Sequence, residues 1–268
     1  MIRPINASIT FVSVIVAAFI CSRENISFVS VFLASFTASF TLMAGNIIND
    51  IYDIEIDKVN RPDRPLASGT IAKSSSFFLY FFLIAASLIL SWFINLYALI
   101  IVIITTILLF LYSKFLKRIP LIGNILIAFL TGLVFIFGGV AVENASAAII
   151  PALFAFLINL IREIVKDMQD VEGDIKAGLR TYPIKFGIKK SKSLVTIFII
   201  ALIFTTLYPF LYRIYRIEFF LLVMILVNPI LVYCLKILYN QQLENSLNKI
   251  SNLLKLNMAF GLIAILLG

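Results

Sequence analysis

The sequence predicts an all-α membrane protein, a bundle of nine transmembrane helices, and three observations lead to that prediction. First, hydrophobic residues make up 62% of the 268 residues and charged residues only 13%, whereas soluble domains hold roughly 45–50% apolar and about 25% charged residues. Second, apolar runs long enough to cross a bilayer recur along the chain. Third, basic residues gather in alternate connections between these runs. This composition excludes a disordered chain, a disulfide-rich scaffold and a nucleic-acid-binding domain.

Nine runs approach the length of about 20 mostly apolar residues that a spanning helix needs. They fall near residues 5–21, 27–50, 76–94, 97–113, 120–142, 147–166, 192–212, 218–239 and 250–267. Arg3 before the first run would suit a signal peptide, but the segment CSRE at residues 21–24 is a poor cleavage site, so we expect a retained helix. The ninth run is the weakest, because Asn252, Lys255 and Asn257 interrupt it. We assign residues 1–268 to a single domain.

The charge pattern predicts the orientation in the membrane. If the N-terminus is cytoplasmic, all of the 22 basic residues except Arg23, Arg213 and Arg216 lie on the cytoplasmic side, as the positive-inside bias requires. Long polar connections, residues 60–73 and 175–190, follow the second and sixth spans on that same side. We therefore expect a multi-pass protein of the cell membrane, with cytoplasmic loop caps over an active site that faces the cytoplasm.

Acidic residues are concentrated in two short windows, each at the point where an apolar run enters a long polar loop. Each window contains the pattern D-x-x-D-x-x-x-D, first at Asp50, Asp53 and Asp57 and again at Asp167, Asp170 and Asp174. On a continuous helix, the three aspartates of a pattern lie within about 60° of one another. Glu55 and Glu172 then point to the opposite side, and Gly173 favours an end to the second helix before Asp174.

Two rows of three like charges predict a bound cation. Carboxylates that only cap a span at the interface would be mixed with basic partners, whereas three on one stripe repel one another and are costly to hold near a membrane. The chain has no histidine, and its two cysteines, Cys21 and Cys234, lie in apolar runs, so the donors are oxygen atoms. Mg²⁺ fits such a site best, because a few carboxylates and substrate phosphate oxygens commonly hold it.

Polar and basic residues around the two rows predict an anionic substrate. Asn46, Asn49, Arg61, Arg64 and Lys166 stand close to them in the sequence. Amides order metal-bound water or phosphate oxygens, and guanidinium groups bind phosphate. A diphosphate leaving group needs this combination, because metal and cationic side chains neutralise the charge that builds up as its bond to carbon breaks.

These motifs resemble those of the UbiA superfamily of intramembrane prenyltransferases. The resemblance rests on N-D-x-x-D-x-x-x-D from Asn49 to Asp57 and on the second pattern from Asp167 to Asp174, with nine spans and two motif loops, so it covers the whole chain. Residues 49–69 (NDIYDIEIDKVNRPDRPLASG) and 162–174 (REIVKDMQDVEGD) are most similar to archaeal digeranylgeranylglyceryl phosphate synthases. The segment PLIGN at residues 120–124, Thr131-Gly132 and Gly138-Gly139 are similar to them as well.

The resemblance implies Mg²⁺-dependent transfer of a geranylgeranyl group from its diphosphate to the free hydroxyl of geranylgeranylglyceryl phosphate, which forms the second ether bond of archaeal membrane lipids. Its partners would be a prenyl diphosphate donor, a phosphoglycerol-lipid acceptor and the bilayer. The acceptor's phosphate is assigned to Arg61, Arg64 and Arg180. Many aromatic-acceptor relatives carry Tyr and Lys four residues apart after the fourth span; here Tyr112 is followed at that spacing by Leu116, so Lys114 or Lys117 would replace that lysine.

Three alternatives stay open at this point. An aromatic-acceptor prenyltransferase of quinone or tocopherol type would use the same donor half of the site. A divalent-cation or proton-coupled transporter would also line its path with membrane carboxylates, although here they cluster at one face. A lipid phosphotransferase is the least favoured, because its D-G-x-x-A-R sequence is missing. Prenyl chain length and oligomeric state are not determined by the sequence.

Overall fold

The computed structural model describes residues 1–22, 26–176, 178–240 and 243–268, and every regular element in these ranges is a helix. Nine helical segments of the described ranges are long and apolar enough to cross a membrane: Pro4–Cys21, Phe28–Tyr52, Lys73–Trp92, Leu96–Lys114, Ile122–Ala141, Ala145–Gln169, Ile188–Leu211, Ile217–Leu238 and Asn245–Leu267. The predicted all-α fold with nine spans is therefore confirmed, with ends that shift by a few residues. The cytoplasmic N-terminus and the loop caps stay predictions, and Arg23 lies outside the described residues.

Short helices interrupt or join the spans. In chain order the α-helices are α1 (Pro4–Cys21), α2 (Phe28–Tyr52), α3 (Ile54–Asn60), α4 (Lys73–Trp92), α5 (Leu96–Lys114), α6 (Ile122–Ala141), α7 (Ile149–Gln169), α8 (Val171–Lys176), α9 (Tyr182–Phe186), α10 (Ile188–Leu211), α11 (Ile217–Leu222), α12 (Asn228–Leu238) and α13 (Leu243–Leu267). Leu116–Arg118 and Ala145–Ala148 form 3₁₀ turns, and Val223–Val227 forms a π-helical turn that joins α11 to α12.

The chain divides into two compact units. The first comprises Met1–Lys117 and Leu133–Ile149, and the second comprises Arg118–Gly132 and Ile150–Gly268. Helix α6 contributes its first half to the second unit and its second half to the first. The assignment of residues 1–268 to a single domain stays a prediction.

In the first unit, α2 is the central helix. It packs against α1, α4 and α5. Two apolar clusters surround it, one toward each end: the first holds Val14, Ala34, Ala98, Val102, Phe137, Val140 and Ala141, and the second holds Ala44, Ile47, Ile48, Ile51, Leu66, Tyr80 and Leu83. Because Ile47, Ile48 and Ile51 lie on the turns that precede and include Asp50, burial of these side chains fixes where the first aspartate stands.

Small residues set the distance between helices in both units. A Cβ atom at Gly138 of α6 would stand 2.6 Å from Ala17 Cβ and 2.8 Å from the Val14 carbonyl oxygen of α1, so only glycine allows this approach. In the second unit, a Cβ atom at Gly132 would stand 2.7 Å from the Ala152 carbonyl oxygen. Membrane helices associate through such close backbone packing, because lipid offers no hydrophobic driving force between them.

Polar side chains inside the second unit are paired across helices. Asn228 at the start of α12 and Thr206 of α10 are both buried, and Asn228 Nδ2 donates to Thr206 Oγ1 at 3.3 Å. Asn257 is 1% exposed, and its Nδ2 donates to the Val227 carbonyl oxygen at 3.3 Å. This bond explains why α13 forms a span despite the polar residues in it, since Asn257 faces protein while Asn252 and Lys255 are exposed.

Both cysteines are free thiols. Cys21 ends α1 and is 1% exposed, and Cys234 lies in α12 and is fully buried. Each is therefore a packing residue within its own unit.

We expect Gly138→Ala to destabilise the protein, because its new methyl group would overlap Ala17 and the backbone of α1. Overpacking of this kind costs about 1–3 kcal/mol, so the melting temperature in detergent should fall. Gly261→Ala is the matched control, since a Cβ atom there meets nothing within 4 Å and alanine has the higher helix propensity. Equal melting temperatures for the two variants would contradict the close packing of α1 and α6.

Candidate active site

Each aspartate motif lies where a span ends and a short helix begins. Helix α2 ends at Tyr52, Asp53 stands between the helices, and α3 begins at Ile54. Likewise α7 ends at Gln169, Asp170 stands between, and α8 begins at Val171. The expected continuous helix is therefore wrong in both motifs, and the expected end at Gly173 is wrong as well, because the interruption falls at the middle aspartate.

At each interruption, hydrogen bonds of helical spacing end and begin at the middle aspartate, and the Asp53 backbone has φ −98° and ψ 5°. The Asp53 amide donates to the Asn49 carbonyl at 3.0 Å, and the Asp57 amide donates to the Asp53 carbonyl at 2.7 Å. In the second motif the Asp170 amide donates to the Lys166 carbonyl at 3.0 Å, and the Asp174 amide donates to the Asp170 carbonyl at 2.8 Å. The two motifs thus share one local fold, in which the middle aspartate is the junction.

In the first motif, one guanidinium group is shared by two aspartates. Arg64 Nη1 lies 2.6 Å from Asp57 Oδ2 and 3.5 Å from Asp50 Oδ1. Asp50 is 3% exposed and Asp57 is 6% exposed, so both carboxylates are nearly buried. The first and third aspartates therefore converge on a single positive centre, so the structure brings Asp50, Asp57 and Arg64 together, and their roles in metal and substrate binding stay predictions.

A second guanidinium group reaches Asp50 from the start of α1. Arg3 Nη2 donates to Asp50 Oδ1 at 2.9 Å, and Arg3 Nη1 donates to Asn46 Oδ1 at 3.1 Å. The Met1 amino group lies 3.5 Å from Asp50 Oδ2. The Asn46 Nδ2 atom is buried and has no acceptor among the described residues. Asn46 is therefore linked to Asp50 through the Arg3 guanidinium, and its role in substrate binding stays a prediction.

The middle aspartate of the first motif binds Lys117. Lys117 Nζ forms an ion pair with Asp53 Oδ1 and lies 3.3 Å from Asn49 Oδ1, and Asn49 Nδ2 donates to Asp53 Oδ2 at 2.9 Å. The Lys117 side chain is only 9% exposed. By contrast, Lys114 is exposed, and its ammonium lies 4.8 Å from the centre of the Phe115 ring. Of the two candidate lysines, only Lys117 contacts a motif aspartate.

The second motif is held by hydrogen bonds rather than by ion pairs. Asn124 in the first turn of α6 donates through Nδ2 to Asp167 Oδ2 at 2.9 Å. Asp167 is half-buried in the last turn of α7, whereas Asp170 is exposed at the junction. Among the residues that the structure describes, no basic side chain forms a salt bridge with Asp167, Asp170 or Asp174. The second motif therefore retains more uncompensated negative charge than the first.

Asp174 is half-buried in α8, outside the membrane-spanning segments. The pKa of its carboxyl group is raised to about 6, chiefly by burial and also by the neighbouring Asp170 carboxylate, and the Thr181 hydroxyl and the Lys166 ammonium offset part of the rise. A cation bound beside this carboxylate would favour its charged form.

The other predicted site residues are distributed around the motifs. Lys166 Nζ lies 3.4 Å from both Glu163 carboxylate oxygens, so it pairs with a glutamate and not with an aspartate of its motif. Tyr112 is half-buried in the last turn of α5, and Arg61 and Arg180 are exposed in the polar loops.

Glu55 and Glu172 are both exposed, and Glu55 pairs with Lys58 at 2.8 Å. That the two glutamates point away from the aspartates stays a prediction.

The donor set of the first motif fits Mg²⁺ chemically. Its aspartate and asparagine oxygens are hard donors of the type that Mg²⁺ selects, and Asp50 and Asp57 already share one cationic partner in Arg64. In neither unit do three described acidic side chains form a preassembled metal cluster. The cations beside Asp50, Asp53 and Asp57 would therefore move when a metal ion binds. That the two aspartate rows face each other stays a prediction.

Sequence reasoning missed several groups that contact the motifs, among them the Met1 amino group, Arg3 and Asn124. From the sequence, Arg3 bears only on the topology and on a possible signal peptide, and its position so far from Asp50 along the chain gives no local signal. Asn124 lies in a segment that carried the family resemblance, and an asparagine within an otherwise apolar helix was the available signal, because amides inside membrane spans usually pair with another polar group.

The profile of the UbiA prenyltransferase family matches residues 10–259. This chain belongs to that family. Digeranylgeranylglyceryl phosphate synthase of Methanocaldococcus jannaschii is 37% identical over 272 residues, a match that covers 100% of this chain and 94% of the relative. The synthase of Methanosphaera stadtmanae is 36% identical over 268 residues, with coverage of 100% and 97%.

Solved structures of the family have the same fold. A structure of digeranylgeranylglyceryl phosphate synthase superimposes with a TM-score of 0.87 at 37% identity, and the match covers 100% of this chain and 95% of that one. A UbiA homologue of Archaeoglobus fulgidus bound to GPP and Mg²⁺ gives a TM-score of 0.72 at 20% identity, with coverage of 99% and 98%.

We expect Lys117→Gln to lower prenyl transfer more than Lys114→Gln, although both remove one positive charge. Lys117 pairs with Asp53, and hydrogen bonds to charged groups contribute about 1.5–3 kcal/mol, so its loss should reduce turnover roughly tenfold or more. Radiolabelled prenyl transfer in membranes measures both variants, with protein amounts matched. An equal loss of prenyl transfer in the two variants would contradict the assignment of Lys117, and not Lys114, to the site.

We also expect Asn124→Ala to reduce prenyl transfer by roughly tenfold, because it removes the donor that orients Asp167. Asn124→Asp should be more harmful, since it places a second carboxylate beside Asp167. Asn252→Ala, in an exposed position of α13, controls for the loss of an asparagine. Initial rates with saturating Mg²⁺ are the measurement, and unchanged rates for both Asn124 variants would exclude a role in positioning Asp167.

Proposed function

We propose that this chain transfers a geranylgeranyl group from geranylgeranyl diphosphate to the free hydroxyl of geranylgeranylglyceryl phosphate, which forms the second ether bond of archaeal membrane lipids. The observation that supports this proposal is the full-length similarity to digeranylgeranylglyceryl phosphate synthases, together with the presence of both aspartate motifs in the sequence. The aromatic-acceptor alternative is disfavoured by the same relatives. A transporter or a phosphotransferase is disfavoured by membership of a prenyltransferase family.

In the proposed site, the six aspartates hold Mg²⁺ and basic side chains bind the diphosphate. Asp50, Asp53, Asp57, Asp167, Asp170 and Asp174 are the metal ligands, and Asn46, Asn49, Arg61, Arg64, Tyr112, Lys114, Lys117, Lys166 and Arg180 are the substrate-binding candidates. Among the candidates, Arg64 and Lys117 have the strongest support, because both are largely buried and contact motif aspartates. When bound, Mg²⁺ supplies positive charge that stabilises the departing diphosphate.

The reaction breaks the bond between the prenyl C1 atom and the diphosphate oxygen. The electron pair leaves with the diphosphate, and the guanidinium of Arg64 and the ammonium of Lys117 stabilise the negative charge that develops there. The acceptor hydroxyl oxygen then forms the new bond to C1, and its proton passes to a motif carboxylate or to the diphosphate. Since the chain has no histidine, activation of the electrophile suits this residue set better than activation of the nucleophile.

The proposed localisation follows from the spans and the charge pattern. Nine apolar helices among the described residues support a multi-pass protein of the cell membrane. Residues 60–73 and 175–190 would cover the site on the cytoplasmic side, because their basic residues follow the positive-inside bias. Within this proposal, residues 1–268 act as one domain.

We expect Asp53→Asn and Asp170→Asn to abolish most Mg²⁺-dependent prenyl transfer, since each removes a charged ligand from the centre of a motif. Glu55→Gln and Glu172→Gln are matched controls: each removes one carboxylate charge two residues further along, from a side chain that is exposed. Turnover is measured in membranes over a series of Mg²⁺ concentrations. It should fall at least about a hundredfold for the aspartate variants and much less for the glutamate variants. Similar losses in all four would contradict the proposed metal site.

The identity of the acceptor is tested by supplying two acceptors in separate reactions. Membranes that contain the protein and a single labelled geranylgeranyl diphosphate receive either geranylgeranylglyceryl phosphate or an aromatic quinone precursor, and mass spectrometry identifies the products. We expect a diether phosphate product with the first acceptor. Product from the aromatic acceptor alone would overturn the proposed acceptor while retaining the prenyl transfer chemistry.

A further inference from the structure

Arg3 contacts two nearly buried groups while remaining partly accessible itself. Its guanidinium donates to Asp50 Oδ1 at 2.9 Å and to Asn46 Oδ1 at 3.1 Å. Asp50 is 3% exposed and Asn46 is 8% exposed, whereas the Arg3 side chain is 37% exposed. The two acceptors are fixed in α2, so Arg3 is the partner that is able to leave this contact.

Asp50 carries more cationic contacts than a metal ligand would tolerate. Arg3 Nη2 and Arg64 Nη1 both approach the same oxygen, Oδ1, at 2.9 and 3.5 Å. Mg²⁺ binds carboxylate oxygens at about 2.0–2.1 Å, and a guanidinium group on the same oxygen would repel it. Of these two basic side chains, Arg3 is the more exposed, since Arg64 is 23% exposed and is also held by Asp57.

A buried donor next to this contact indicates that an anion belongs there. Asn46 Nδ2 has no hydrogen-bond acceptor among the described residues, although the side chain is more than nine-tenths buried. Unpaired buried donors are costly. A phosphate oxygen or a metal-bound water beside Asp50 would accept this hydrogen bond, whereas Arg3 contacts the other amide atom, Asn46 Oδ1, and Asp50 Oδ1.

We propose that Arg3 is the exchangeable counter-ion of Asp50 and that Mg²⁺ displaces it, whereas the other two cationic partners, Arg64 and the Met1 amino group, are more buried. Arg3 then stabilises the buried carboxylate until the metal arrives, and its displacement lowers the affinity for Mg²⁺. Arg3 is a positioning residue that acts through Asp50. The inference rests on the proposed function, because it takes Asp50 as a metal ligand.

The test is Mg²⁺ binding by the purified full-length chain in detergent, by calorimetry and without prenyl substrate. Arg3→Gln removes the competing charge, so it should bind Mg²⁺ about fivefold more tightly than the wild-type protein, the effect expected for one partly exposed ion pair. Lys58→Gln is the matched control, because it removes the same charge from the same unit but from a lysine that pairs with the exposed Glu55. Its Mg²⁺ affinity should equal that of the wild type.

Two results would overturn the inference. Equal Mg²⁺ affinity in Arg3→Gln and Lys58→Gln would mean that no exchange occurs at Asp50, and weaker binding in Arg3→Gln would mean that Arg3 stays to orient the carboxylate. If Arg3→Gln does not fold, Arg3→Lys decides: it keeps the charge but cannot contact Asn46 and Asp50 at the same time, and should bind Mg²⁺ about twofold more tightly. Failure of the wild-type chain to bind Mg²⁺ both alone and with added diphosphate would instead contradict the metal site of the proposed function.

Discussion

The structure depends on the compensation of negative charge where helices leave the membrane. Asp50 and Asp57 are nearly buried, and an unpaired carboxylate in such a position is costly. In the first unit the chain provides basic partners from three separate segments: Arg3 before α1, Arg64 after α3 and Lys117 after α5. Each of these segments is thereby tied to the end of α2. The ion pairs that lower the free-energy cost of burying these carboxylates also hold the surrounding segments in place.

Much of this fold could be predicted from sequence, because membrane insertion imposes strong rules on composition. Apolar run length predicts the nine spans, and the repeated aspartate pattern identifies the two motifs. The breaks at Asp53 and Asp170 could not be predicted, since neither position holds a proline or a glycine, the residues that most strongly interrupt a helix. The choice of Lys117 over Lys114 also depends on structure, because the 3₁₀ turn Leu116–Arg118 decides which lysine turns toward α2.

Long-range contacts were the other limit of sequence reasoning. Arg3 and Asn46 are separated by 43 residues and meet only because α1 packs along α2. Gly138 of α6 also packs against α1, where a larger side chain would overlap it. Neither the pairing nor the glycine requirement has a local signature in one sequence. Both follow from the close packing that membrane helices use in place of a hydrophobic driving force.

The junction at the middle aspartate separates each motif into an anchored part and a loop-borne part. Asp50 and Asp167 belong to long spans, whereas Asp57 and Asp174 lie on the short helices α3 and α8, which lead into the polar loops. Because Arg64 contacts both Asp57 and Asp50, a rearrangement of the loop after α3 would be felt at the anchored aspartate as well. The spacing of the carboxylates within a motif is therefore set jointly by a long span and by the loop that carries the short helix.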